Sequence, residues 1–462
     1  MIVLRGLWTT LVIFWVASTS AQVLDNVHIR FQISDLGNDD TCKVAYHFGS
    51  KQYIKDEALY LANDGFYHFE EDSVPPGIYL FVFPDGNYFE FLLNEQNFTL
   101  YTSKENAVTD MLVSDSKENQ VFFDYLKFLN NRRGLQQKLA PEGREPSPEA
   151  KAQLDALTGE VLAYQKRIVQ ENDNMLVARI IKANIEPEYS SNAPEGLSDK
   201  DAQTFRYIQY RRHFFDNVDF STEHLLYSPI VSQKIEYYLE KLTYQEPDSQ
   251  IVAVERIIKL VEAGNNEQVF KVVVVELVNR YAKSKRICHD KIYVHIVEKY
   301  YNTGKAVWAD ETQIAKMKSR AEVLNNVLCG KKAPIFNLPT FREQSFFLAG
   351  HKAQNTIIIF YQPDCEHCKT TTTALKELYD SMSNEMTVIA VYIGSDYEEW
   401  VEHIKEFRIG DWINVYNARN KYDFAELYDI RNTPQIYVLD ENLIIRFKRV
   451  GVESIPALIK AD

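Results

Sequence analysis

Hydrophobic and polar positions along this chain fall into three successive regimes. Between Val23 and Tyr101 the alternation is that of strands: Val27, Ile29, Phe31 and Ile33 alternate with polar partners, and Phe89, Phe91 and Leu93 alternate with Tyr88, Glu90 and Leu92. Asp64-Gly65, Pro75-Pro76-Gly77 and Pro84-Asp85-Gly86-Asn87 punctuate the run as tight turns. This predicts an antiparallel β-sandwich over 22–115.

From Glu118 the period becomes helical, with Val121, Phe122, Tyr125, Leu126 and Leu129 on one face. The proline- and glycine-bearing stretch 140–148 reads as a loop. A long polar helix is expected over 148–184, then helices near 201–216, 228–243, 248–263, 266–283, 289–303 and 310–328. In the helix at 248–263, Asp248 is placed to cap the start, Ile251, Val254, Ile258 and Val261 form the buried stripe, and Gly264 ends it. Residues 116–329 therefore read as an α-helical domain, a bundle or a short solenoid, with no repeated motif to choose between them.

The third regime, 330–462, alternates strands with helices. The segments 356–361 and 387–393 are continuous apolar runs, as expected of strands buried on both faces. Helices are predicted near 366–382 and 396–407. A hairpin follows from 435–439 to 443–448 across Asp440-Glu441-Asn442, and a helix over 454–460 closes the order β-α-β-α-β-β-α.

At 462 residues the chain is too long for one ordinary core, in keeping with several domains. A net charge of −14, with no basic stripe, argues against nucleic acid as a partner. Arg5, the apolar stretch from Leu7 to Ala17, and small residues Ser18 to Ala21 read as a signal peptide over 1–21. That apolar stretch falls short of the roughly 20 residues a membrane span needs, so cleavage and export, to a periplasm, are expected. Cys42, Cys288 and Cys329 are scattered and read as small buried hydrophobes, with a disulfide among them left open.

The candidate chemistry lies where the strand at 356–361 gives way to a helix, at Cys365-Glu366-His367-Cys368. A cysteine at a helix start meets unsatisfied amides and the positive end of the dipole, which stabilise a thiolate. Cys365 is then the nucleophile toward a disulfide. Cys368, one turn on, resolves the mixed disulfide. No second CxxC or His pair at ligand spacing accompanies them, so no metal is expected. Lys369 stands where haem attachment would need His.

Together with Thr433-Pro434 before the next strand, and the opening Gly330-Lys331-Lys332-Ala333-Pro334-Ile335-Phe336-Asn337-Leu338, this site resembles thioredoxin-like proteins, in particular exported TlpA/ResA-type thiol–disulfide oxidoreductases. The resemblance covers 330–462. It implies a multi-domain α+β chain ending in a thioredoxin-like α/β domain, with no cofactor beyond a redox-active disulfide. It also implies protein thiols and disulfides as substrates and a membrane-bound electron donor or acceptor. Pro434 would be cis and face the dithiol, and the backbone of Thr433 would pair with substrate.

Two departures matter. Ile359 stands where thioredoxin has a buried Asp. Glu366-His367 replaces Gly-Pro, so that His367 favours the thiolate while Glu366 opposes it, leaving the direction of electron flow open. A reading of a different class makes the first two domains a binding or assembly module of the cell envelope with an accessory redox domain.

Overall fold

The computed structural model describes residues 23–460 apart from 38–39, 142–144, 191 and 363. The expected signal peptide lies outside the described residues. Among them no helix is long and apolar enough to cross a membrane. The chain divides into two compact units, Met1–Tyr238 with Val261–Val269, and Leu239–Leu260 with Phe270–Asp462.

In the first unit the strands are β1 Leu24–Ile33, β2 Cys42–Phe48, β3 Lys51–Leu61, β4 Phe66–Val74, β5 Gly77–Val82, β6 Tyr88–Leu93, β7 Asn97–Thr102 and β8 Leu112–Ser114. They form one sheet in the order β6-β5-β2-β3-β4-β1-β7-β8. The pairs are antiparallel except β1 with β7, which run parallel. The sheet curls on itself. Phe31 of β1 lies 4.5 Å from Phe81 of β5 and 5.3 Å from Phe91 of β6 between ring centres, although several strands separate them in the sheet. Two faces therefore enclose an aromatic core with the layering of a sandwich, joined through β3.

Helix α1, Lys117–Leu139, closes this core and covers one sheet edge. The buried Asn119 side chain accepts from the Leu92 N–H at 2.8 Å and donates to the Leu92 carbonyl at 2.7 Å, standing in for a missing strand beside β6.

The long helix expected over 148–184 is two helices, α2 Pro148–Glu171 and α3 Leu176–Asn184. The break follows from Asn172-Asp173-Asn174, poor helix formers, and from a substitute for the lost helical bonds. Glu118, buried in α1, accepts from the N–H groups of Leu176 at 2.8 Å and Val177 at 2.9 Å, and from Asn94 Nδ2 at 2.7 Å. A carboxylate from another helix thus satisfies the first turn of α3. Glu118→Ala strands these donors in a dry site and is expected to destabilise the chain by about 2–4 kcal/mol. Glu118→Gln, which keeps one accepting oxygen, should lose less. Urea unfolding followed by circular dichroism measures both.

The remaining helices are α4 Asp199–His213, α5 Ile230–Lys241, α6 Pro247–Gly264, α7 Glu267–Ala282, α8 Asp290–Ile296, which runs on into a π turn at Val297–Tyr301, and α9 Glu311–Asn326. α6 begins one residue earlier than expected. Asp248 is therefore inside its first turn rather than capping it, and pairs with Lys291 Nζ at 2.6 Å. Of the three scattered cysteines only Cys42 is the small buried hydrophobe expected. Cys288 and Cys329 are joined by a disulfide within the second unit.

The C-terminal part of the second unit holds β9 Asn337–Pro339, β10 Ser345–Phe347, β11 Asn355–Tyr361, α10 Glu366–Met382, β12 Thr387–Tyr392, α11 Tyr397–Glu406, β13 Ile413–Tyr416, α12 Phe424–Leu427, β14 Gln435–Asp440, β15 Ile445–Lys448 and α13 Ile455–Lys460. Five strands form the sheet β13-β12-β11-β14-β15, parallel from β13 to β11 and antiparallel beyond. β13 was not anticipated, because its four residues are too few for a periodic signal. β11 is apolar throughout for a structural reason. Ile357, Ile359 and Tyr361 enter the cluster under α10, α11 and α13, while Ile358 and Phe360 enter the opposite cluster with Phe336 and Tyr428. The opening segment is tied to this sheet by bonds from the Ala333 N–H to the Leu443 carbonyl and from the Gly330 N–H to the Ile445 carbonyl.

Candidate functional site

The chain leaves the central strand β11 at Tyr361 and turns into α10, so the first turn of that helix stands at the C-terminal edge of the sheet. Cys365 is its N-cap, with extended backbone at φ −93° and ψ 115°. Its carbonyl accepts from the N–H groups of Cys368 at 2.9 Å and Lys369 at 3.2 Å. The opening of the helix is thereby closed by Cys365 itself, and its sulfur is left facing the amides of the first turn. Cys365 is partly exposed, whereas Cys368, one turn in, is fully buried in the apolar cluster with Ile359, Tyr361 and Leu375.

A second loop meets the dithiol from the start of β14. The Thr433-Pro434 peptide is cis, and the Cys365 thiol donates to the Thr433 carbonyl at 3.6 Å. Cys365, Cys368, Thr433 and Pro434, far apart in sequence, are thus one constellation. Glu366 and His367 occupy the first two helical positions and are exposed. What His367 brings to Cys365 is its backbone N–H.

The two thiols are driven apart in acidity. At Cys365 partial burial opposes ionisation, but hydrogen bonds from the Cys368 thiol, the Cys368 amide, the Thr433 side chain and the His367 amide outweigh it, and the thiol lies below its ordinary value. At Cys368 burial pushes the thiol up, and its bond to the Cys365 sulfur holds its proton in place. One sulfur is thus the more readily ionised, and the other holds its proton. The rate of iodoacetamide alkylation of the reduced chain should therefore rise with pH at a midpoint below the ordinary thiol value of 9.0. A lowered pKa sets the sign: the reactive thiolate persists as pH falls below that value and is lost only through the lower midpoint. Peptide mapping by mass spectrometry should place the label on Cys365.

Ile359 is buried in the cluster around Cys368, so the position of thioredoxin's acid carries no titratable group. Tyr361 belongs to the same cluster, and His403 packs on it at 4.8 Å between ring centres. His403 is buried, and neither ring nitrogen has a hydrogen-bond partner among the described residues. Burial, aided by the charge of Lys369, pushes it down to about 4, so it is neutral at physiological pH.

A further group escaped the sequence reading. Asp429 is fully buried just before the Thr433-Pro434 loop, in the left-handed region at φ 55°. Arg320 of α9 binds its carboxylate through both terminal nitrogens, and Arg449 binds it as well. The Gln435 amide donates to the Asp429 carbonyl at 3.4 Å and to Asn432 Oδ1 at 3.0 Å, so the loop is held from both ends. Arg320 lies 109 residues upstream, and no spacing in the sequence links the two.

Residues 354–445 match the family model described as thioredoxin-like, and residues 179–326 match that of a domain of unknown function, DUF5106. Among solved structures, a domain of a possible thiol-disulfide isomerase from Cytophaga hutchinsonii is 34% identical, over 29% of this chain and 91% of that one, with a TM-score of 0.28. A thioredoxin-like protein from Bacteroides caccae is 19% identical over 60% of this chain and 100% of its own, with a TM-score of 0.46. The thioredoxin domain of a thiol-disulfide oxidoreductase from Bacteroides vulgatus is 21% identical over 29% and 99%, with a TM-score of 0.28. No curated protein matches the chain.

Proposed function

We propose, starting from a chain that belongs through its residues 354–445 to the thioredoxin-like proteins, that it is an exported thiol–disulfide oxidoreductase acting on protein substrates. The observation that carries this reading is the Cys365 sulfur, held at the N-cap of α10 against the carbonyl that precedes cis-Pro434, with its acidity raised and a second, protonated thiol one turn away.

In the reducing direction the Cys365 thiolate attacks a substrate disulfide. A bond forms between Cys365 and one substrate sulfur, and the other leaves as a thiolate that takes up a proton. Cys368 then gives up its proton and attacks the Cys365 sulfur, releasing the second substrate thiol. Two electrons pass to the substrate, and Cys365 and Cys368 become a disulfide. The reverse sequence oxidises a substrate dithiol.

The main chain at Thr433 lies next to the reacting sulfur, which suits it to pair with an extended substrate segment, and cis-Pro434 follows it directly. Glu366 and His367, exposed beside Cys365, tune the thiolate and set the potential. The amino-terminal sequence supports export to a periplasm, where a membrane-bound donor or acceptor would restore the dithiol or disulfide. No metal or organic cofactor enters the cycle.

Equilibration of the purified chain with mixtures of reduced and oxidised glutathione tests the reading. The Cys365–Cys368 pair should pass between dithiol and disulfide in a single two-electron transition, and its midpoint decides between reductant and oxidant. A pair that stays reduced at every ratio would remove the basis of the proposal.

A further inference from the structure

The outer face of the amino-terminal sheet carries a cluster that the thiol chemistry does not use. In the antiparallel register of β1 and β4, His28 lies opposite Glu70, and Arg30 lies opposite His68. His28, His68 and Glu70 project from the same face, and one donor atom of each lies within 4.8 Å of the others. His28 Nε2 is 2.8 Å from His68 Nδ1 and 3.4 Å from Glu70 Oε1. The two imidazole centres are 5.1 Å apart with planes 23° from parallel. That separation is what an edge-to-edge contact requires, so each nitrogen directs its in-plane lone-pair or N–H axis at the other.

The hydrogen bonding fixes which nitrogen is free to ligate. His68 Nε2 lies 2.9 Å from Asp64 Oδ2 and, facing a carboxylate, carries the proton. His68 Nδ1 therefore presents a lone pair toward His28. A carboxylate behind an imidazole is the arrangement that orients metal-binding histidines and raises their basicity. Burial grades outward: the side chain of His68 is 9% exposed, that of His28 40% and that of Glu70 68%. One ligand is anchored and two can adjust.

We propose that His28, His68 and Glu70 form a site for a divalent transition-metal ion of the zinc class, with Asp64 orienting His68. The cation replaces the proton now shared between His28 Nε2 and His68 Nδ1. That proton, the single one of a neutral imidazole, passes by way of solvent to His28 Nδ1, so both facing nitrogens offer lone pairs to the ion. Bonds of about 2.0–2.1 Å at a tetrahedral centre require the nitrogens to part by roughly half an ångström and the rings to tilt until both lone pairs meet at the ion, which the half-exposed His28 can supply. Two imidazoles and a carboxylate select zinc, copper or nickel over calcium or magnesium. They leave a fourth position to water.

The test uses the full chain, free of any affinity tag, with Cys365→Ser and Cys368→Ser so that the dithiol cannot bind the metal. Equilibrium dialysis against Zn²⁺ at micromolar concentration should give one bound ion. Co²⁺ in its place should show ligand-field bands without thiolate charge transfer, which excludes Cys42. His28→Ala should abolish stoichiometric binding, Glu70→Gln should weaken it by tenfold or more, and Asp64→Asn should weaken it by about 10–100-fold. His28 and Glu70 are exposed enough that their variants should fold even if His68→Ala does not. No binding by the parent, or binding unchanged in His28→Ala, would overturn the site and leave only a hydrogen-bonded chain from His28 to Asp64. Neither result touches the redox reading, since the dithiol is absent throughout.

Discussion

Replacing Cys365 with serine is expected to reduce disulfide exchange by the full chain to the uncatalysed background, a loss on the order of a thousandfold or more. A hydroxyl at this position stays protonated near neutral pH, because the hydrogen bonds that bring a thiol's pKa below 9.0 cannot bring an alcohol into the same range. Cys368 cannot take over. It is fully buried, and burial holds its proton on, so a substrate disulfide neither reaches it nor meets a thiolate there. The fold should be spared. Serine accepts and donates at a helix N-cap at least as well as cysteine, so α10 keeps its start and the unfolding midpoint should move little. Insulin reduction, run beside thermal unfolding, separates these effects. Half the parent rate surviving in Cys365→Ser would show that some other group does the chemistry.

Much of the site was legible because its signals are local. A dithiol at CxxC spacing, behind an apolar run and ahead of a helical stripe, points to a strand-to-helix corner, and the helix expected near 366–382 is α10. Thr433-Pro434 was legible through resemblance rather than spacing; its peptide is cis, and the Thr433 carbonyl stands 3.6 Å from the Cys365 sulfur. Hidden were the features that depend on distant pairing. The acid that splits α2 from α3 is Glu118, more than a helix away along the chain. The Asp429 carboxylate just before the Thr433-Pro434 loop draws its main partner from α9. The link between Cys288 and Cys329 was open for the same reason: two cysteines in helical surroundings carry no mark of which sulfur faces which. In the sheet, alternation gave the buried faces correctly but not the parallel pairing of β1 with β7, since pattern fixes which side a residue faces and not which strand lies beside it.

Replacing Cys368 with serine should have the opposite signature: capture without release. Cys365 keeps its place at the helix start beside the Thr433 carbonyl, so it still attacks and forms the mixed disulfide. It loses the hydrogen bond from the Cys368 thiol, one of the contributions that lower its pKa, while the amides of the first turn and the Thr433 side chain remain. A serine hydroxyl can replace part of that bond, so the first step should slow by no more than about tenfold. Resolution is different in kind, because an alcohol cannot displace a thiol from a disulfide under these conditions, and turnover should stop after one event. The adduct should accumulate to near one substrate per chain and run as a larger species on non-reducing gels. It should collapse on adding dithiothreitol and be absent from the Cys365→Ser/Cys368→Ser double variant. Failure to trap any adduct with a substrate that the parent chain reduces would mean that the second sulfur is not the one that lets the substrate go.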